Sequence, residues 1–380
     1  MRKKIAIIIT KLELGGAQQT ALHLVGNLNR EKYEVHLVAG AGGYFDEYAR
    51  SVPDLKLNLL ESFKHPIRPL QDLRAFREIK KYLVKHEIEL VHTHSSKAGF
   101  LGRMAARAAG VPIIVHSAHG FSFHEYQNPI AHRLYVLLER YVAKNSTALI
   151  AGGYDVKEYG LQNKVGSENM YSVIYAGVDL ESFRKATANR DAYLKTYGLK
   201  GDVFTVGMVG NLKKQKNPLE FLEIAKQVLD TEQDMQFIFA GDGPLRKKID
   251  AKLQKYSIGD KVKFVGWVDN AQAFISCIDV FLLTSLWEGL PCTLSQAIAA
   301  GKLCVATNIG GNREILNEIN SGFLYEPGRV EKAVEIILTL KNNNLKKLTV
   351  DNSKESYLSR FDFQHILKQH EHLYDKLLKQ

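Results

Sequence analysis

Residues 279–308, "DVFLLTSLWEGLPCTLSQAIAAGKLCVATN", carry a strand signal, a turn, a helix signal and a second strand signal in immediate succession. "DVFLLTS" and "LCVATN" are apolar almost throughout rather than at alternate positions, the pattern of strands buried on both faces of a parallel sheet. Between them the strand ends at Ser285, and Pro291 opens an Ala-rich helix that Gly301 stops. The unit is βαβ, and the same alternation extends outward in both directions. The second half repeats it with "VFTVGMVGNL", "MQFIFAGDG" and "KVKFVGWV". The first half carries "KIAIIIT", "EVHLVAG", "LKLNLL", "ELVHTHS", "PIIVHSA" and "ALIAGG", with helical periods such as "AQQTALHLVGNLNR" between them. A polar stretch at 178–202 interrupts the series and reads as a connector. The expected architecture is α/β, two doubly wound Rossmann-like domains in tandem, each binding ligands at the carboxyl ends of its strands.

Bulk properties agree. A chain of 380 residues exceeds one ordinary core and favours two domains. With 45% hydrophobic and 24% charged residues, disordered and collagen-like classes are excluded. Three unpaired cysteines suit a reducing compartment, and the N-terminal apolar run, Ile5 to Ile9, is a buried strand rather than a secretory signal. The expected location is cytoplasmic. A net charge of +10 invites a polyanion, yet no nucleic-acid-binding motif is present. Residues 64–87 offer another use for the charge. Leu70, Leu73, Phe76, Ile79 and Leu83 recur at helical spacing beside Arg74, Arg77, Lys80, Lys81 and Lys85. Such a helix either packs on a sheet with its basic face solvated or lies on an anionic membrane.

Candidate site residues cluster at strand ends. Gly15 and Gly16 follow the first strand, where backbone N–H groups at a helix N-terminus suit a phosphate; such a pair also serves as a plain turn. The GxGxxG dinucleotide pattern and the P-loop are both absent. In the second half Asn211, Lys213, Lys214 and Lys216 gather ahead of a helix expected to be capped by Asn217, with Pro218 in its first turn. They suit a pyrophosphate or form a solvated lysine run. Glu288 sits at the same sheet edge, beside the N–H groups of Gly289 and Leu290. It is placed to accept sugar hydroxyls, or to serve as a helix-terminal charge, with Gln296 one turn into the helix. His92 and His94 share one strand face, and His116 and His119 end the neighbouring strand. No Cys or close-set acid joins them, so no metal site is expected.

Taken together, "GGAQ", "HG" at His119–Gly120, "GNLKKQK", "GDGPL" and "EGLPCTLSQAIAAG" follow one another in an order that resembles the family 4 glycosyltransferases of the GT-B fold. The resemblance covers nearly the whole chain. It implies two Rossmann-like domains facing across a cleft, here residues 1–185 on the acceptor side and 186–360 on the donor side. A terminal helix, 361–380, would cross back onto the first domain. It also implies a retaining transfer of a sugar from a nucleotide-sugar, a UDP-sugar by preference, to a glycan or lipid-linked acceptor in cell-surface polysaccharide assembly, without metal or other cofactor.

By that resemblance Gly15, Gly16 and Lys216 hold the donor diphosphate, together with the amides of Cys292 and Thr293. Glu288 contacts the transferred sugar and His119 lies beside the reaction centre. His94, at a strand's end, either borders the acceptor, for which Lys97 is a second candidate, or serves structural hydrogen bonding. Two positions depart from the pattern: Asn211 replaces an arginine on the diphosphate, and Gln296 replaces the glutamate that binds the ribose. If those departures abolish donor binding, the chain would serve as a binding subunit; a nucleotide-sugar epimerase is the third reading. The helix at 64–87 would then place the enzyme against the inner face of the plasma membrane.

Overall fold

The computed structural model describes residues 1–186, 189–319, 322–343 and 356–379. They form two compact units, Met1–Gly177 with Phe363–Gln380, and Val178–Asp362. The first unit is a seven-stranded sheet of β1 (Lys3–Lys11), β2 (Tyr33–Gly40), β3 (Lys56–Leu60), β4 (Leu90–His94), β5 (Ile113–Ala118), β6 (Ala148–Ala151) and β7 (Tyr171–Val173). Its strand order is β3-β2-β1-β4-β5-β6-β7, and every pairing is parallel. Order reverses between β1 and β4, so the loops leaving those strands diverge and open a crevice at the carboxyl edge. Ile5, Ile7 and Ile9 point to one face of β1 and Ala6 and Ile8 to the other, and none is accessible to solvent. Each buried isoleucine contributes about 1.5–3 kcal/mol.

Right-handed crossovers fix which face each helix covers. The connections β3→β4, β4→β5 and β5→β6 all move the same way along the sheet. Their helices, Pro69–Lys85, Ser96–Ala108 and Pro129–Ala143, therefore lie side by side on one face. The β1→β2 connection moves the other way and puts Gly16–Asn27 on the opposite face. There the terminal helix Phe363–Leu378 joins it. Phe363 stacks on His23 at 4.1 Å, Asn29 donates to Glu371 at 2.9 Å, and Tyr33 donates to Asp375.

The second unit is a six-stranded parallel sheet of β8 (Phe204–Val209), β9 (Met235–Ala240), β10 (Val262–Phe264), β11 (Val280–Leu283), β12 (Leu303–Thr307) and β13 (Gly322–Tyr325), in the order β10-β9-β8-β11-β12-β13. The switch point lies between β8 and β11, paired through Val280 and Val206. The supposed connector belongs to this unit. Within it Leu180–Ala186 and Arg190–Tyr197 are helices whose Leu180, Phe183 and Leu194 are buried, so a few apolar residues at helical spacing outweigh a polar average. Among the described residues no helix is long and apolar enough to cross a membrane.

Candidate functional site

Strand order brings the loops after β8 and β11 together, and hydrogen bonds zip them. Leu286 N–H donates to Gln215 O at 2.7 Å, and Thr284 Oγ1 donates to the carbonyls of Lys216 and Asn217 at 2.9 and 3.0 Å. Gln215 Nε2 reaches Trp287 O at 3.1 Å, and Thr307 Oγ1 on β12 secures Ser285 O at 2.6 Å. At the centre Lys216 Nζ meets Glu288 Oε1 at 2.5 Å, with side chains only 14% and 7% exposed. Ser285 Oγ donates to the same oxygen at 2.6 Å. Among the described residues Oε2 has only the long contact from Gln215 at 3.4 Å, so it keeps acceptor capacity for a hydroxyl.

Glycines make this packing possible. A Cβ on Gly210 would stand 3.2 Å from Lys216 Cγ, so the lysine stem lies over the bare backbone that follows β8. Gly241, at φ +140°, passes so close to Gly210 that a Cβ would sit 1.9 Å from its carbonyl oxygen, which explains the glycine in "GDGPL".

Helix Cys292–Ala299 starts directly after this loop, with Pro291 at its N-cap and no side-chain cap. The N–H groups of Cys292 and Thr293 lack intrahelical partners by geometry and lie at the positive end of the helix dipole. Thr293 Oγ1 is buried without a partner among the described residues, a group that a bound oxyanion would satisfy. Burial pushes the Cys292 thiol up to about 11, with Lys216 opposing the shift and Glu288 adding to it. The thiol therefore feels both members of the pair and stays protonated. Gln296, buried, is four residues on and lies on the same helix face as Cys292. Gly289 and Leu290 precede the helix; Leu290 is buried, which leaves its backbone as the useful part. Asn211 is half-buried at the end of β8, and Lys213 is exposed.

One expectation is corrected here. Asn217 does not cap the helix Pro218–Thr231 with its side chain; it adopts a left-handed conformation, φ +47°, and donates to Glu220 at 2.7 Å. The tight turn from Lys216 into Pro218 demands that conformation, and asparagine tolerates it.

In the first unit Gly15 ends the β1 loop and Gly16 begins helix Gly16–Asn27, which has no side-chain cap either. Gln18 folds its amide back over Gly15 and donates to Lys11 O at 3.4 Å. His119 follows β5 and is half-buried, its Nε2 3.0 Å from His94 Nδ1. Burial, and then the neighbouring His370, push His119 down to about 4, so the ring is neutral at physiological pH. His94 is fully buried and contacts His119 rather than the surface. His92 bonds Tyr374 at 2.6 Å and Ser117 at 2.8 Å, and His116 bonds Thr93 at 2.9 Å. Those histidines are occupied with one another and with the terminal helix. Lys97 donates to the carbonyls of Lys64 and Pro66 at 2.6 and 2.7 Å and pairs with Asp72 at 2.5 Å, tying down the loop ahead of helix Pro69–Lys85.

Sequence reasoning did not single out Ser285, Gln215, Thr284 or Thr307, which hold Glu288 and Lys216 in place. For Ser285, Thr284 and Thr307 the only sequence signal is a hydroxyl residue at the end of a buried strand, and Gln215, in the turn Lys214–Lys216, has none.

Comparison with known proteins identifies the family. Residues 14–182 match the family described as Glycosyltransferase Family 4, and residues 189–357 match Glycosyl transferases group 1. The chain is 32% identical, over 94% of its own length and 93% of the relative's, to the Escherichia coli UDP-Gal:alpha-D-GlcNAc-diphosphoundecaprenol alpha-1,3-galactosyltransferase. It is 22% identical, over 93% and 92%, to the capsular polysaccharide biosynthesis glycosyltransferase CapM of Staphylococcus aureus. Its fold matches HepE of Anabaena, solved with UDP and glucose, at a TM-score of 0.84 and 21% identity, covering 98% of this chain and 100% of that one. The chain belongs to the family 4 glycosyltransferases.

Proposed function

We propose that this glycosyltransferase moves a sugar from a UDP-sugar, with retention of configuration, to a hydroxyl of a lipid-linked glycan during polysaccharide assembly at the inner face of the plasma membrane. The buried Lys216–Glu288 pair beside an uncapped helix N-terminus carries the reading. The Escherichia coli relative is named for a UDP-sugar and a diphosphoundecaprenol acceptor, which supports the donor and acceptor classes.

In this reading Lys216 and the amides of Cys292 and Thr293 receive the donor diphosphate. Glu288 Oε2 accepts a hydroxyl of the transferred sugar. The anomeric carbon–phosphate oxygen bond breaks, and a bond to the acceptor oxygen forms on the same face. The acceptor's proton passes to the departing diphosphate. Preorganised positive charge stabilises the leaving group, so catalysis is electrostatic and positional. Gln296 gives the ribose one neutral acceptor in place of a carboxylate, and Asn211 supplies no cation. Donor binding is therefore weaker than an Arg and Glu at those positions would give, by about 1.5–3 kcal/mol for the lost guanidinium.

The test is transfer of radiolabelled sugar from UDP-sugars to polyprenyl-diphosphate-linked saccharides. Product formation by the wild type, lost in Glu288→Ala, is expected. Nucleotide binding without any transfer would support a binding subunit, and sugar conversion without acceptor would support an epimerase.

A further inference from the structure

Glu220 lies in the first turn of helix Pro218–Thr231, shortly after Lys216, and is 9% exposed. Among the described residues it makes no ion pair. The enclosed side chains of Glu288, Glu139 and Asp279 each face a cation, Lys216, Arg103 and Arg190 in turn. Glu220 is held by neutral donors instead. Asn217 Nδ2 donates to its Oε2 at 2.7 Å, and the Tyr325 hydroxyl donates to its Oε1 at 3.0 Å, with the Gly328 N–H 3.4 Å from the same oxygen. Burial pushes the carboxyl up, and those three bonds oppose the rise. An enclosed acid without a counter-charge costs stability, and such groups gather at functional sites.

Helix capping does not account for these contacts. A glutamate at the third helical position ordinarily reaches back to the backbone N–H of the residue before the helix. Here that N–H, of Asn217, already donates to Lys214 O at 3.1 Å. Glu220 grips Asn217 at two other points. Its side chain takes the amide, and its own N–H donates to Asn217 O at 3.0 Å. Thr284 Oγ1 donates to that carbonyl at 3.0 Å and to Lys216 O at 2.9 Å. Asn217 is thereby clamped at φ +47°, ψ +52°, a conformation that few residues other than glycine adopt. The peptide between Lys216 and Asn217 sets the direction in which the lysine stem leaves the chain. That stem runs over Gly210 to bring Nζ to Glu288. On the far side of the carboxylate, Tyr325 ends the edge strand β13, is buried, and is itself tied down by Asn308 N–H to its carbonyl at 2.7 Å.

We infer that Glu220 is a positioning residue of the donor site: it locks Asn217 in the left-handed turn that aims Lys216, and Tyr325 orients it from the sheet edge. The inference rests on the reading of Lys216 as a contact of the donor diphosphate. Glu220 touches no substrate and acts through the lysine. The chain Tyr325–Glu220–Asn217–Lys216 thus carries the rigidity of the sheet edge to the ammonium that meets the phosphate.

Calorimetric titration of the full chain with UDP over a double-mutant cycle tests it. Glu220→Ala should raise the Kd for UDP roughly tenfold. Glu220→Gln should restore most of the affinity, because its amide accepts from Tyr325 and pairs with a reoriented Asn217 amide. In a Lys216→Gln background, which keeps a donor beside Glu288, Glu220→Ala should change the Kd by less than about twofold. A Glu220 that is merely structural lowers the melting temperature in both backgrounds. It leaves the Kd of the folded protein unmoved, or moves it equally with and without the lysine; either result overturns the inference. Tyr325→Phe removes a single hydroxyl and carries the same cycle should Glu220→Ala fail to fold. A Kd raised about threefold, and unchanged by the substitution in the Lys216→Gln background, is expected there, and the same two contrary results overturn the inference. A folded wild type that does not bind UDP overturns the donor reading and the inference with it. Normal wild-type binding with additive variants overturns the inference alone.

Discussion

Glu288 Oε1 receives both the Lys216 ammonium and the Ser285 hydroxyl, so removing either charge leaves the other buried without its partner. Glu288→Ala or Lys216→Ala should destabilise the protein by about 3–5 kcal/mol, visible as a lowered urea midpoint, and should abolish transfer. Glu288→Gln separates the two effects. Its amide oxygen still accepts from Lys216 and Ser285 but carries no charge, so it should lose less stability than Glu288→Ala while turnover falls on the order of a hundredfold or more. Full turnover in Glu288→Gln would show that the carboxylate's charge is not used. Gln296→Glu, on the Cys292 face of its helix, should tighten UDP binding several-fold by restoring a charge-assisted bond to the ribose; calorimetric titration measures it. Glu288 and Lys216 were legible from their setting, a charge at the carboxyl end of a buried strand ahead of a Pro- or Gly-bounded helix. Ser285 and Gln215 were not, because a hydroxyl at a strand end or an amide in a turn has many uses and only the adjacency of β8 and β11 selects this one.

At the scale of elements, the site depends on close backbone approach. Gly311, in helix Gly310–Ile319, would place a Cβ 1.9 Å from Gly289 O, and that carbonyl belongs to the loop that presents Glu288. Backbone cannot yield as a flexible side chain does. Gly311→Ala should therefore displace residues 288–290, raising the KM for the donor at least tenfold and lowering the melting temperature by several degrees. An unchanged KM would show that the loop tolerates the shift. Apolar strands such as β1 and β9, of nine and six residues, were plain in the sequence because burial on both faces leaves few polar positions. β7 and β13, of three and four residues at sheet edges, carry too little pattern to stand out. The helices at Leu180–Ala186 and Arg190–Tyr197 were hidden by a polar average, since only one narrow stripe of each is buried. The helix Pro69–Lys85 was legible as amphipathic.

Across the whole molecule, pH should act through the histidines of the first unit. Burial pushes His119 and His370 down to about 4, and holds His92, His94 and His116 well below the ordinary value. The unfolded chain protonates these rings near 6.5, while in the folded chain His119 and His370 resist until about 4. Between those limits the unfolded state binds more protons. Stability is therefore full above pH 6.5 and falls progressively as pH drops toward 4, by a few kcal/mol on the order of magnitude for His119 and His370. Melting temperature against pH checks the sign: a decline that begins only below 4.5 would assign the effect to carboxylates instead. The histidines at the ends of β4 and β5 were visible as candidates, but their engagement with the terminal helix, through Tyr374 and His370, joins residues nearly three hundred positions apart and has no local signature. Lys216, Glu288 and the helix at Cys292 are expected to form a working nucleotide-sugar site despite Asn211 and Gln296. The most direct test is the melting temperature of the wild type and Lys216→Ala with saturating UDP, GDP or ADP. A rise of about 2–4 °C or more with UDP, reduced in the variant, is the predicted result; a folded wild type that none of the three nucleotides stabilises would contradict it.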